Sequence, residues 1–240
     1  MKKVVMVSNL MPSTSYGLGL CEGILNSSDD ITFYAEKSFD DNLINHDRKI
    51  IKVWSKSLKY FLQILSRLIR DKPDVVHLAT DKNCYFGGAM NLMFDYVLEN
   101  KNPKLHLNVT SNFSVEEKLW QKYKAYVKQL CEGEHVEHFM QYVSLDSGNP
   151  SQASYIRRGM GHHRVHTYVH RYLTQVPYRN SLTYIITMNN LSILGLKQML
   201  ADILELRKLY STTYQRVWFD TPVLRTPSWQ SLQILPASYV

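Results

Sequence analysis

Three histidines, His162, His166 and His170, recur at intervals of four. On a helix they would form one stripe, and neighbouring i, i+4 imidazoles can chelate zinc, copper or nickel. The first reading is a solvated, partly basic helix face, with a metal site as the alternative. No glutamate stands in the HExxH position, so a zinc-protease mechanism has no support. The three cysteines, Cys21, Cys84 and Cys131, are far apart, and neither CxxC nor CxxxCxxC spacing occurs. Zinc ribbons and cysteine-ligated iron–sulfur clusters therefore lose their usual signature, and the thiols read as buried or free.

Arg157, Arg158, Arg164, Arg171 and Arg179 fall within 23 residues that hold no acidic side chain. Such a patch suits phosphates or an anionic cofactor. Tyr155, Tyr168, Tyr172 and Tyr178 interleave with it and could stack on bases, yet they suit helix and strand packing equally well. Specific nucleic-acid binding is not the expectation.

Three predicted strands stop at polar residues: Lys104 to Val109 before Thr110, Ser111 and Asn112; Phe139 to Leu145 before Asp146 and Ser147; Leu182 to Met188 before Asn189 and Asn190. In parallel α/β sheets and barrels, ligands collect at carboxyl strand ends. Loops are also polar simply because they are solvated.

These residues need a scaffold, and the pattern names one. At 240 residues, with 45% hydrophobic and 20% charged residues and a net charge of +7, the chain can bury one large core or two modest ones. No apolar run reaches the roughly 18 residues of a membrane span. The apolar stretch after Lys2 and Lys3 is too short for a secretory signal, so a cytoplasmic location is the default expectation. Further strands are expected at Lys3–Ser8, Ile31–Glu36, Lys49–Trp54, Asp74–Leu78 and Gln215–Asp220. Helices are expected at about 19–26, Ser57–Arg70, Asn91–Asn100, Ser114–Cys131, a turn at Ala153–Arg158, His162–Leu173 and Leu194–Tyr210. Alternating strands and helices imply a parallel sheet with right-handed crossovers. The fold class is α/β, mainly parallel, as two incomplete layers or one open sheet. The residues name no oligomeric state.

Two family resemblances divide the chain. The stretch from Met6 to Gly19, with Ser13, Gly17 and Gly19 in a polar loop, together with Lys72 to Leu78 (KPDVVHL), resembles the N-terminal lobe of GT-B glycosyltransferases of the family-4 type. It covers residues 1–85, and that resemblance implies a Rossmann-like half and a nucleotide sugar. The donor-binding second lobe of that family is not found. From the residues alone, Gly17 and Gly19 can equally do no more than shape a turn.

LHLNVTSNFS (105–114), VSLDSGNPSQASYIRR (143–158), YIITMNNLSILGL (184–196) and VWFDTPVLRTPSWQSLQILP (217–236) resemble the later barrel strands of radical-SAM enzymes. The nearest likeness is to twitch-domain radical-SAM proteins of phages and marine bacteria. This resemblance covers residues 86–240 and implies a partial (β/α) barrel that binds S-adenosylmethionine as a small-molecule ligand. By it, Ser144 and Asp146 approach the ribose or methionine part, Arg157 or Arg158 pairs with the carboxylate, and Asn112 and Asn189 line the mouth. Gly87 to Met90 is a partial echo of the family's GGEP-type element. The family also carries a [4Fe-4S] cluster on three clustered cysteines, and that segment is absent. An incomplete or fused radical-SAM-related chain is therefore expected, with a glycosyltransferase-like or non-catalytic protein as the alternatives.

Overall fold

Lys3–Ser8 is a short apolar run suited to a strand covered on both faces, and it forms the hub of the sheet. In a computed structural model, which describes residues 2–8, 30–36, 49–53, 72–79, 88–176, 178–224 and 227–236, this segment is β1. β2 (Asp30–Glu36), β3 (Lys49–Val53) and β4 (Val75–Ala79) follow. Then come α1 (Gly88–Glu99), β5 (His106–Ser111), α2 (Glu117–Glu132), β6 (His138–Ser144), α3 (Pro150–Ile156), α4 (His162–Gln175), β7 (Asn180–Ile185), α5 (Leu196–Tyr210) and β8 (Val217–Asp220). The eight strands form one sheet in the order β3-β2-β1-β4-β5-β6-β7-β8, and every pairing is parallel. Of the two arrangements left open, the single open sheet is the one adopted.

The strand order reverses once. β1 pairs with β2 on one side and with β4 on the other, while β4 to β8 run in chain order. The boundary expected between residues 85 and 86 falls between β4 and α1. The sheet continues across it, with Val75 opposite His106 and Leu78 opposite Val109. The helices expected near residues 19–26 and 57–70 lie outside the described residues.

One face of β5 to β7 carries the core. Trp120, Tyr123, Val127, Leu130 and Cys131 recur at helical spacing on α2 and are buried, a core-facing stripe. Trp120 stacks on Tyr168 of α4 at 4.7 Å and 6°. Phe113 meets Trp120 edge-on at 5.1 Å and lies 5.9 Å from Tyr172. Phe94 of α1 approaches Phe139 of β6 at 6.4 Å. Inside this apolar layer the Tyr123 hydroxyl hydrogen-bonds Gln141, which satisfies a buried amide that would otherwise be costly.

Several boundaries differ from the expected ones for local reasons. α2 starts at Glu117 rather than Ser114 because the preceding segment is held in a turn. Ser111 Oγ accepts from Phe113 N at 3.1 Å, Asn112 Oδ1 accepts from Ser114 N at 2.9 Å, and Phe113 has φ +54°. These side-chain acceptors compete with a helical first turn. α5 starts at Leu196 after a 3₁₀ turn, Ser192–Gly195. A Cβ on Gly195 would stand 1.9 Å from Ser147 Oγ, so that approach requires glycine. α3 is a full short helix where only a turn was expected: Pro150 occupies its first position, and Asn149 Oδ1 accepts from Ser151 N and Gln152 N, a strong N-cap. Among the described residues, no helix is long and apolar enough to cross a membrane.

Candidate functional site

Along β6 the burial alternates, with Phe139, Gln141 and Val143 buried and His138, Met140, Tyr142 and Ser144 half-buried. A parallel strand covered on both faces reads as a continuous apolar run, so this alternation marks a second face of different character. Rows of side chains run across it. His106 stands beside His138; Asn108 beside Met140 and Ser181; Thr110 beside Tyr142, Thr183 and Trp218; and Ser144 beside Ile185 and Asp220 at the carboxyl edge. The helices α1, α2 and α5 engage the opposite face, through Phe94 with Phe139, Tyr123 with Gln141, and Arg207 Nε on the Val217 carbonyl at 2.9 Å.

This second face is polar and internally connected. His138 Nε2 and Ser181 Oγ are 2.6 Å apart. Ser181 Oγ and Thr183 Oγ1 donate to Met140 Sδ at 3.0 and 3.2 Å, and the His106 ring centre is 6.1 Å from that of His138. Burial lowers the His138 pKa below its usual 6.5, helped by the neighbouring His106 and opposed by Glu137. Burial raises that of Tyr142, and the Asp220 carboxylate adds to the rise. A neutral imidazole, a protonated phenol, hydroxyls and the 45%-exposed Trp218 together suit a neutral or heteroaromatic ligand with hydrogen-bonding groups.

The depressed His138 pKa has a consequence for stability. The unfolded chain takes up this proton near pH 6.5 and the folded chain only at lower pH, so the stabilising neutral form is fully present above that value. Stability is lost as the pH falls below it. Thermal unfolding between pH 7.5 and 5 is expected to show His138→Gln with a shallower acid loss than the parent. Equal slopes would remove His138 from the account.

Asp146 and Arg157, each expected to contact a ligand, pair with one another. Asp146 is 3% exposed. Its Oδ2 accepts from Arg157 Nε at 2.7 Å, and its Oδ1 from Arg157 Nη2 at 3.1 Å and from Thr187 N at 2.8 Å. The bidentate pair joins the end of β6, the end of α3 and the segment after β7, and it occupies the carboxylate. Asn189 is equally committed: Oδ1 accepts from Leu191 N and Ser192 N, and Nδ2 donates to the Thr187 carbonyl. Asn112 caps the turn before α2. Ser144 lies on the polar face, and Arg158 is exposed one residue beyond the paired Arg157. Ser13, Gly17 and Gly19 lie outside the described residues.

The arginine-rich stretch does not remain an uncompensated patch. Arg157 pairs with Asp146, Arg171 with Glu117 at 2.7 Å and Arg179 with Glu134 at 2.8 Å. Tyr168 and Tyr172 are in the core, whereas Tyr155 and Tyr178 are 72% and 67% exposed. The acidic partners come from α2 and its end and, for Arg157, from the end of β6, all outside residues 157–179.

The histidine stripe also divides. His170 Nδ1 and the Tyr210 hydroxyl of α5 are 2.9 Å apart, while His162 and His166 face each other with ring centres 4.5 Å apart. Among the described residues, no three His, Cys, Asp or Glu side chains form a ready metal-ligand set.

Cys131 is far from the carboxyl edge. Its thiol donates to the Arg179 carbonyl, just before β7 begins, at 3.8 Å, and burial, with Glu132 adding to it, pushes its pKa up to about 12. β7 is six residues long, so roughly 20 Å of strand separates this thiol from Thr187 and Asp146. Cys21 and Cys84 lie outside the described residues. A buried, protonated thiol at the wrong end of the strand does not fit a cluster serving the polar face.

Polar groups on the second face, above all His138, Tyr142, Thr183, Trp218 and Asp220, were missed by a reading that looked only at strand ends. HFMQYVS carries no clean polar–apolar alternation, with Met140 on this face and Gln141 on the buried one, so the sequence offered little signal for it.

No family model and no curated protein matches the chain. Among solved structures it is similar to anSMEcpe with bound AdoMet, at 10% identity and TM-score 0.44, covering 92% of this chain and 52% of that one. It is also similar to a short-chain dehydrogenase from Streptomyces avermitilis (11%, TM-score 0.40, 88% and 98% covered) and to MurG from Acinetobacter baumannii (9%, TM-score 0.34, 92% and 67% covered). The chain spans about half the length of the first of these. At such scores the likenesses say nothing beyond the α/β class evident from the strand order.

Proposed function

We propose that this chain is a small-molecule-binding α/β protein related to radical-SAM enzymes, and that it holds S-adenosylmethionine at the carboxyl end of the polar face of β5 to β8. The observation that carries this reading is the row Thr110, Tyr142, Thr183 and Trp218, with Ser144 and Asp220 beyond it. Trp218 offers an aromatic surface to adenine, Asp220 and Ser144 offer acceptors to the ribose hydroxyls, and Arg158 offers a cation to the methionine carboxylate. Asp146 then acts by positioning Arg157 and the Thr187 backbone rather than by touching the ribose. The adenosylmethionine assignment itself comes from the resemblance of residues 86–240. The cysteines present do not suit the iron–sulfur cluster of that family, so no radical step is assigned to this chain.

Calorimetric titration of the full chain with S-adenosylmethionine is expected to give micromolar binding. Trp218→Ala and Asp220→Asn, both at exposed positions, are each expected to weaken it about tenfold, equivalent to about 1.4 kcal/mol. Absence of heat with the parent chain would sink the reading.

A second reading has its own observation. The reversal of strand order places a topological switch point at the carboxyl ends of β1 and β4, where open α/β sheets bind nucleotides. The chain segment that continues from β1 contains Ser13, Gly17 and Gly19. A glycosyltransferase-like protein would use that crevice for a nucleotide sugar. Thermal stabilisation by UDP- or GDP-sugars, without response to S-adenosylmethionine, would select it.

A further inference from the structure

His162 opens α4 and His166 lies one turn further along the same face. Each presents an Nε2 that is shielded from solvent and has no hydrogen-bond partner. Burial lowers the His162 pKa, and Asp202 is the first of the groups that oppose this. A neutral imidazole can present either ring nitrogen as a lone pair, so both Nε2 atoms are available to a cation. From α5, Asp202 brings Oδ2 to 4.0 Å from His166 Nε2, while its Oδ1 accepts from Gln198 Nε2 at 2.7 Å. From β7, the fully buried Tyr184 hydroxyl also lacks a partner, and it lies within reach of the Asp202 charge. Two unpartnered imidazole nitrogens and a carboxylate thus meet between α4 and α5. Buried polar groups are ordinarily satisfied, so this convergence calls for an occupant.

We propose that a divalent transition-metal ion is chelated there by His162 Nε2 and His166 Nε2. Asp202 supplies counter-charge from beyond direct bonding distance, and water fills the remaining positions. Two imidazoles at i, i+4 favour zinc, nickel or copper over magnesium or calcium, which prefer oxygen ligands. A cation satisfies both facing lone pairs at once, and the adjacent carboxylate offsets its charge. His170 stands outside the site, committed to Tyr210. The stripe expected from the sequence is therefore a pair plus a carboxylate from another helix. The site rests on none of the residues assigned above to S-adenosylmethionine.

The test uses the full chain after chelator treatment and dialysis. Zinc at about a hundred times its dissociation constant is expected to raise Tm on the order of 5 °C, with one ion bound per chain among the described donors. His162→Gln and His166→Gln are each expected to abolish that shift, whereas His163→Gln, on the exposed side of the helix, keeps it. Copper(II) bound to the unaltered chain is expected to show electron-paramagnetic hyperfine coupling to two nitrogens, a readout independent of whether the variants fold. No zinc-dependent shift in the parent chain, a shift that survives both glutamine variants, or copper coupling to fewer than two nitrogens would overturn the proposal. The first of these outcomes would leave an ordered water between the two imidazoles as the occupant.

Discussion

Replacing Arg216 with methionine is expected to lower the stability of the fold by about 3 kcal/mol, and Tm by roughly 6 °C in a chain of this size. Arg216 is 6% exposed, and carbonyl oxygens take the place of a carboxylate around it. Its Nη1 donates to the Leu173 carbonyl at 3.1 Å and Nη2 to the Val176 carbonyl at 2.8 Å, both at the end of α4. Nη2 also donates to Asn180 Oδ1 at 2.7 Å, and Nε to the Asn180 carbonyl at 3.4 Å. A cation at a helix carboxyl terminus also meets the negative end of the helix dipole. Methionine fills the volume but leaves the Leu173 carbonyl and the Asn180 side chain without this donor. The Val176 and Asn180 carbonyls keep other donors, Asn180 Nδ2 and the Tyr214 hydroxyl, which is why the loss stays near the low end for four broken bonds. Arg216→Lys preserves the charge without the planar fork and is expected to lose about two-thirds as much. Urea unfolding of the three chains measures this directly. A methionine variant within about 0.5 kcal/mol of the parent would show that guanidinium desolvation offsets its hydrogen bonds.

The second large effect concerns the Asp146–Arg157 pair. Arg157→Ala strands a carboxylate with only the Thr187 N–H as donor and is expected to cost about 3 kcal/mol. Asp146→Ala is expected to cost about 2 kcal/mol, because the Arg157 side chain, 32% exposed, can turn into water. The Thr187 N–H then loses its acceptor. The double variant is expected to cost clearly less than the two together, with a coupling of at least about 1 kcal/mol. Additive losses would mean that the two side chains act separately. That result would return Asp146 and Arg157 to the role of independent ligand contacts.

The α/β class and the succession of strands were legible because the apolar runs and helical stripes are strong and closely spaced. The strand Phe139–Leu145, for instance, is displaced by only one residue. Ser144 closes β6 and Asp146 lies two residues beyond it, whereas β7 ends at Ile185, four residues short of Asn189. Their local commitments were not legible, since the partners of Asp146 come from α3 and from a backbone N–H after β7. Arg216 was invisible as a structural residue because its value depends on where α4 stops. Asp202 was missed for a similar reason: helical spacing reveals the stripe on α4 but not which helix lies against it.

The single reversal in strand order has a further consequence, for the order in which the molecule assembles. From β4 onward each strand pairs with the next one in the chain, as Val75 with His106 and His106 with His138. β1 instead waits for β4, a separation of 71 residues at the bond between Lys3 N and Asp74. Closing the longer loop adds less than about 1 kcal/mol to the entropic cost, so the seam is a matter of timing more than of strength. Long-range pairing of this kind is slow to form. The β1–β4 pairing is thus expected to be the last in the sheet to form. A nucleotide bridging that seam would close it as a clasp closes a hinge.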